Sequence, residues 1–143
     1  MTQIVLAGDA NSLGTAFGGK IMQWIDVAAA VAARRHAGCV AVTASMDSVQ
    51  FHRPIRMGDT VVLRATVNRS WHSSMEVGVR VEYEHDGTDR PVHAASAYLT
   101  FVSVDRDGRP RPVPGVAAET DDEKRRFDEA ERRRERRLES RPR

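Results

Sequence analysis

The fold of this 143-residue chain is decided by residues 17–38, which read FGGKIMQWIDVAAAVAARRHAG. The pattern predicts a long helix from about Phe17 to His36, ended by Gly38, because glycine readily takes the left-handed conformation that closes a helix. Its apolar residues occupy most of the helix circumference: Ile21, Met22, Trp24, Ile25, Val27, Ala28, Val31 and Ala32. Since such a helix is normally buried, we expect a central helix enclosed by the rest of the chain.

Strand-like segments lie on both sides of this helix. Residues 75–84 alternate strictly between apolar and polar side chains, which is the pattern of a half-buried strand. Further strand candidates are Thr2–Ala7, Cys39–Met46, Val49–Arg53, Thr60–Asn68 and Val92–Val104, and residues 85–89 form a predicted hairpin loop. The order predicts an α+β fold of two layers, in which a mostly antiparallel sheet wraps around the long helix.

Charge divides the chain into two parts. Residues 1–118 contain 12 basic and 11 acidic residues, whereas residues 119–143 contain 10 basic and 9 acidic residues. A proline-rich connector precedes the change, so we predict one domain over residues 1–115 and a highly charged C-terminal helix or tail over residues 116–143. Four acid–base pairs with a spacing of four favour a solvated helix that is weakly anchored or frayed: Asp121/Arg125, Asp122/Arg126, Asp128/Arg132 and Glu129/Arg133. A basic arm that binds RNA or a partner is the alternative.

The overall composition excludes several classes of protein. A net charge of +2 provides no strong field for nucleic acid or an anionic membrane. Cys39 is the only cysteine, so neither an internal disulfide framework nor a multi-cysteine metal site can form. The longest apolar run, Val27–Ala33, is far shorter than the roughly twenty residues of a membrane span. With no signal peptide evident, we expect a cytoplasmic protein without a metal or cofactor.

Asp26 and the glycine pair Gly18-Gly19 are the candidate functional residues of the predicted helix. A carboxylate among apolar neighbours is costly, so Asp26 is expected to be paired, protonated or catalytic. Free N–H groups at the start of a helix can bind an oxyanion. Structural interpretations remain open for both features: Asp26 as a cap or ion-pair partner, and the glycines as a site of close packing.

Four separated motifs together give a more specific indication. They are Asn11-x-x-Gly14-x-x-Phe17-Gly18-Gly19 followed by Asp26, Val42-Thr-Ala-Ser-Met-Asp47 through Gly58-Asp59, Ser73-Ser74-Met75, and Thr100-Phe101-Val102 through Pro114. In these motifs the chain resembles the hotdog-fold acyl-CoA thioesterases, in particular the branch of the YciA-type and brain acyl-CoA hydrolase-like enzymes. The resemblance covers about residues 9–114, and it departs from the family at Ser70-Trp71-His72.

The resemblance implies a hotdog domain that hydrolyses acyl-CoA to a free carboxylic acid and CoA. Asp26 would act as the general base or as the nucleophile, and both mechanisms remain open. Asn11 would orient water or the thioester, and the Gly19 amide, with Gly18 beside it, would bind the oxyanion. Gly18, Arg69 and Ser74 are expected to contact the substrate.

The family also implies a homo-oligomer with a dimer of hotdog units as the minimum, and tetramers and hexamers remain open. Its active site would take the asparagine and the aspartate from different units. The alternative function is a non-hydrolytic acyl-CoA-binding or sensor protein.

Overall fold

The computed structural model describes residues 1–87 and 90–142 and contains a five-stranded antiparallel sheet with one long helix on each face. The elements in chain order are β1 (Thr2–Ile4), a 3₁₀ turn (Ala7–Asp9), α1 (Gly18–Ala37), β2 (Ala41–Phe51), β3 (Thr60–Ser70), β4 (Ser74–Glu84), β5 (Val92–Ser103) and α2 (Asp121–Glu139). The strands lie in the order β1-β3-β4-β5-β2, so β1 and β2 are the two edges.

The helix α1 confirms the prediction from residues 17–38. Phe17 is its N-cap residue, and Gly38 ends it in the left-handed conformation with φ +70°. Ile25 and Ala29 on its inner face are completely buried, and they share one core with Val77 and Val81 of β4. The period-2 alternation of β4 is therefore explained by α1, which covers the apolar face of that strand.

The outer face of α1 corrects the expectation of a helix buried all round. In this chain Met22, Val27 and Val31 are 39%, 48% and 42% exposed. The neighbouring strand β2, an edge of the sheet, adds exposed Phe51. The sheet curves around one side of the helix only, so the other side remains an apolar surface.

The strand β2 runs through the point where the sequence suggested two separate strands. Its pairing with β5 shifts register between Thr43 and Ser45 and again between Met46 and Ser48. A bulge places one extra residue in one strand without ending the ladder, which is why a single strand reaches Phe51. The predicted hairpin loop over residues 85–89 includes Thr88 and Asp89, which lie outside the described residues.

The C-terminal helix α2 shows that the expectation of a weakly anchored tail was wrong. Its one alanine, Ala130, is completely buried, and Arg133 forms an ion pair with Glu76 of β4, whose side chain is 1% exposed. Since polar residues of β4 face away from α1, α2 forms a third layer on the outer face of the sheet. Of the four predicted pairs within the tail, only Glu129 and Arg133 lie within 4.0 Å of each other in the described residues.

Candidate active site

Asn11 organises the loop that leads from β1 into α1. Its side-chain oxygen accepts hydrogen bonds from the N–H groups of Leu13 and Thr15, at 3.0 and 3.2 Å. Its amide nitrogen donates to the Thr15 hydroxyl at 2.9 Å. An asparagine amide carries two N–H groups, so one of them is left to bind a ligand. The loop therefore fixes the direction in which Asn11 presents that donor.

The first turn of α1 exposes backbone donors. The N-cap residue Phe17 provides no side-chain cap, and the first helical N–H groups that bond to its carbonyl oxygen belong to Lys20 and Ile21. Within the described residues, the amides of Gly18 and Gly19 therefore have no acceptor. A Cβ atom added at Gly19 would meet nothing within 4 Å, so a substrate can approach this amide closely. The geometry suits an anionic oxygen, because the helix dipole is positive at this end.

Asp26 lies two helical turns after this donor pair and is half-buried. Its Oδ1 atom accepts a hydrogen bond of 2.7 Å from the hydroxyl of Thr43 in β2. No Lys, Arg or His nitrogen lies within 4.0 Å of its carboxylate in the part of the chain that the structure describes. The interpretation of Asp26 as a structural ion-pair partner therefore has no support, and its carboxylate is held by one hydroxyl at the apolar outer face of α1.

Thr43 is a residue that the sequence reasoning missed. Thr43 lies within one of the motifs quoted for the family. Its local pattern is the same as that of Ser45, another polar residue of the predicted strand, so nothing marked Thr43 as functional. The bulge after Thr43 and the contact of β2 with α1 bring it to Asp26. One signal was available in the sequence: Thr43 is a polar residue in a strand that follows a helix with an isolated carboxylate.

A single chain does not bring all the predicted residues together. Seven residues separate Gly19 from Asp26, which corresponds to about 10 Å along the helix axis. No hydrogen bond in the described residues joins Asp26 to Asn11 or to the glycine pair. A groove of about 350 Å³ opens beside Gly18 instead, between the start of α1 and the end of β2. Its walls include Ile21, Phe51 and Arg53.

Arg69 and Ser74, the predicted substrate contacts other than Gly18, lie at the end of the sheet that α2 covers. Arg69 pairs with Glu131 of α2 at 3.2 Å and stacks 3.9 Å above the ring of Phe127. Trp71, where the chain departs from the family, donates to Glu131 at 2.9 Å. Ser74 begins β4 and is half-buried, with its carbonyl oxygen accepting from the amide of Trp71. In this chain Arg69 therefore has a partner within α2.

No group of three or more His, Cys, Asp or Glu side chains is placed to hold a metal ion in residues 1–87 and 90–142. Across those same ranges, neither helix is long and apolar enough to cross a membrane.

His85 and Asp59 form a pair at the end of the sheet opposite to α2. Asp59 is buried, and its carboxylate lies 2.6 Å from Nδ1 of His85. This hydrogen bond, followed by the charge of Asp86, raises the pKa of His85 above its ordinary value of 6.5. Because the pKa of His85 is higher in the folded chain than in the unfolded chain, protonated His85 stabilises the fold. This stabilisation is complete at pH values below the pKa of the unfolded chain, and it is lost as the pH rises through the pKa of the folded chain.

We therefore expect His85→Gln to destabilise the protein at about pH 5.5 and to have a smaller effect at about pH 8.5. Urea denaturation at both pH values measures the difference. His72→Gln is the matched control, because His72 is exposed and its side chain makes no hydrogen bond in the described residues. Equal losses of unfolding free energy at the two pH values would show that the His85–Asp59 pair does not stabilise the fold through its charges.

Comparison with known proteins identifies the family. Residues 13–89 match the model of the thioesterase superfamily. The chain is 47% identical over 122 residues to a Bacillus subtilis protein named uncharacterized acyl-CoA thioester hydrolase YkhA, covering 85% of this chain and 71% of that protein. Mammalian relatives are longer: the chain spans 34% of the mouse cytosolic acyl coenzyme A thioester hydrolase, with 36% identity.

Solved structures agree with this match. An apo-hexameric acyl-CoA thioesterase superposes with a TM-score of 0.93 at 42% identity, covering 97% of this chain and 89% of the other. The acyl-CoA hydrolase of Staphylococcus aureus, in complex with butyryl-CoA, CoA and CoA disulfide, gives 0.89 at 44% identity, covering 98% and 88%.

Three further structures of the S. aureus enzyme carry single alanine substitutions. They replace an asparagine, an aspartate 15 residues after it and a threonine 17 residues after the aspartate. Asn11, Asp26 and Thr43 have the same two intervals. With the long helix, the sheet around it and the family match over more than half of its length, the chain belongs to the thioesterase superfamily.

Proposed function

We propose that this protein hydrolyses acyl-CoA thioesters to a free carboxylic acid and CoA. The observation that carries the proposal is the setting of the Asp26 carboxylate, which accepts a hydrogen bond from Thr43 and has no cationic partner among the described residues. The equal spacing of Asn11, Asp26 and Thr43 with the three residues substituted in the S. aureus enzyme supports it. The hotdog domain of residues 1–115 would contain these residues, and residues 116–143 would cover the outer face of the sheet.

Asp26 either removes a proton from an attacking water or attacks the thioester carbonyl itself. In both cases the Thr43 hydroxyl donates to Oδ1 and fixes the rotamer of the carboxylate, so that Oδ2 is left to react. The Gly19 amide, with Gly18 beside it, would stabilise the negative charge on the carbonyl oxygen in the transition state. Asn11 would use its remaining N–H to hold the water or the thioester oxygen.

This chemistry requires a second copy of the chain. The carboxylate and the oxyanion donors of one chain are about 10 Å apart along α1, too far to act on one carbonyl. The exposed apolar stripe of Met22, Val27 and Val31, next to the open edge of β2, is the surface on which an antiparallel α1 of a second copy would pack. Pairing about a two-fold axis would bring Asp26 of one chain to the Asn11–Gly19 loop of the other, and it would also cover the edge strand.

Release of free thiol from a panel of acyl-CoAs tests the proposed activity. We expect turnover of at least one member of the panel by the full chain. Binding of acyl-CoA without thiol release from any member would contradict hydrolysis and favour the non-hydrolytic sensor or binding protein.

Mixing two inactive variants tests the shared site. Asp26→Ala removes the carboxylate, and Asn11→Asp keeps the oxygen that accepts from Leu13 and Thr15 while removing the amide donor. After subunit exchange, half of the dimers are mixed and each has one intact site, so we expect recovery to about a quarter of wild-type activity. Thiol release before and after exchange measures this recovery. Exchange confirmed by mass spectrometry without returning activity would place the pair in one chain.

A further inference from the structure

The loop that contains Asn11 is fastened to a distant turn, the one between β2 and β3. The amide of Ala16 donates to the carbonyl oxygen of Ile55 at 2.7 Å, and the amide of Met57 donates to that of Gly14 at 2.9 Å. The residue between Gly14 and Ala16 is the one whose amide and hydroxyl bond to the Asn11 side chain. Because both flanks of this residue are held by the turn, the position of Asn11 depends on where the turn lies.

Asp59 closes this turn with its side chain. Its carboxylate is buried, and Oδ2 accepts a hydrogen bond of 2.9 Å from the amide of Arg56. In return, the amide of Asp59 donates to the carbonyl oxygen of Arg56 at 3.0 Å. Gly58, just before Asp59, takes the left-handed conformation with φ +91°, which glycine adopts without strain. The two bonds hold the turn in one compact shape, and that shape places the neighbouring Ile55 and Met57.

Asp59 also ties the turn to the sheet. Its other carboxylate oxygen, Oδ1, lies 2.6 Å from Nδ1 of His85, the residue that follows β4. Its carbonyl oxygen accepts a hydrogen bond of 3.0 Å from the amide of Val5, just after β1. Burying a carboxylate is costly unless its oxygens are bonded, and here each oxygen has a partner. The turn is therefore anchored to the sheet on one side and to the Asn11 loop on the other.

We propose that Asp59 is a positioning residue for the hydrolysis of acyl-CoA. By closing the turn, it holds the Asn11 loop, and with it the amides that open α1, in the geometry that the reaction needs. Ile55 is among the described residues that line the groove beside Gly18 and Asp59 is not, so Asp59 acts through the backbone. This role rests on the proposed function, in which a misplacement of about 1 Å can lower the rate about 100-fold.

Replacing Asp59 in the full-length protein tests this role. In Asp59→Ala we expect kcat for thiol release to fall by about 10- to 100-fold with a smaller change in KM, because groups that act in the transition state are displaced. Asp59→Asn keeps an oxygen for the Arg56 amide, and its nitrogen can donate to neutral His85, so it should retain most of the turnover. A purely structural role would lower the melting temperature and leave kcat of the folded protein unchanged.

A second variant disturbs the same turn without touching the carboxylate. Gly58→Ala forces a left-handed backbone on a residue that resists it, while the added Cβ atom would meet nothing within 4 Å. It should lower kcat in the same direction as Asp59→Ala, and it serves as the test if Asp59→Ala does not fold.

The matched control is Thr120→Ala at the start of α2. The Thr120 hydroxyl accepts a hydrogen bond of 3.1 Å from the amide of Glu123, so this variant also removes a side-chain acceptor from a backbone N–H. We expect it to lower the melting temperature and to leave kcat and KM unchanged, because α2 lies on the other face of the sheet from α1.

Hydrogen exchange followed by mass spectrometry reports the loop without reference to activity. In Asp59→Ala, the amides of Ala16 and Met57 should exchange about fivefold faster or more, whereas the amide of Glu123 should not change. Thr120→Ala should show the reverse. If the unchanged protein releases no thiol from any acyl-CoA, the proposed function fails, and the exchange rates still decide whether Asp59 holds the Asn11 loop.

Three results would overturn the role proposed for Asp59. The first is an unchanged kcat in folded Asp59→Ala protein or, if that variant does not fold, in Gly58→Ala protein. The second is an equal loss of kcat in Asp59→Asn and Asp59→Ala, since asparagine still closes the turn. The third is unchanged hydrogen exchange at Ala16 and Met57, which would mean that the loop keeps its place without the Asp59 side chain.

Discussion

Replacing Asp26 by asparagine is expected to lower the rate of thiol release from acyl-CoA by about 10²- to 10⁴-fold, the range of general acid–base catalysis. Asparagine has the same shape and still accepts the hydrogen bond from Thr43, but it neither takes a proton nor attacks a thioester. Because Asp26 has no cationic partner in the described residues, the loss of its charge should leave the protein folded. Turnover and the melting temperature should be measured on the same preparations.

Two further variants sharpen this test. Thr43→Val removes the hydroxyl that orients Asp26, so we expect a smaller loss of turnover with little change in KM. Asp107→Asn removes one negative charge from an exposed turn and should change neither activity nor stability. Full activity of the Asp26→Asn protein would contradict the proposed mechanism. Severe destabilisation of this protein would show that Asp26 has a structural role.

Replacing Arg133 by methionine is expected to cost about 3–5 kcal/mol of unfolding free energy, because it leaves the buried carboxylate of Glu76 without its counter-charge. Arg133 donates to both oxygens of Glu76, at 3.0 and 2.7 Å, and its guanidinium stacks 3.7 Å from the ring of Tyr98. In this variant the amide of Asn68 would be the one remaining partner of the Glu76 carboxylate among the described residues. Urea denaturation at a fixed protein concentration measures the change.

The control for this prediction is Arg132→Met, one residue earlier on the exposed side of α2, for which we expect less than about 1 kcal/mol. The double variant Glu76→Leu with Arg133→Met should recover much of the loss, since replacing a whole buried pair by apolar residues is often neutral. Equal effects of Arg132→Met and Arg133→Met would show that the pair does not hold α2 on the sheet.

Much of the fold could be predicted because its signals are local. The apolar spacing before Gly38 predicted α1, and the alternation over residues 75–84 predicted β4, since each period reports which side chains face the core. The acid–base spacing after residue 119 predicted a C-terminal helix, and α2 spans Asp121–Glu139. Asn11 and Asp26 were recognised as a pattern of residues at fixed spacing, while their roles in catalysis remain proposals.

Contacts between distant parts of the chain could not be predicted in this way. The hydrogen-bond partner of Asp26 is Thr43, 17 residues away. This contact depends on a bulge in β2 that no local sequence pattern predicted. The spacing of four residues predicted an ion pair between Arg133 and Glu129 on the same helix. The shortest hydrogen bond of Arg133 is instead to Glu76, 57 residues earlier. The spacing of charges along a helix shows which ion pairs can form within that helix. It does not show that an arginine will instead pair with a buried carboxylate of the sheet.

The sequence by itself therefore determined α1, β4, the order of the elements and the candidates Asn11 and Asp26. The tertiary structure decided that one side of α1 stays exposed while α2 is held on the sheet. The physical reason is that periodicity along one segment defines an apolar or polar face, whereas the burial of that face depends on which distant segment packs against it.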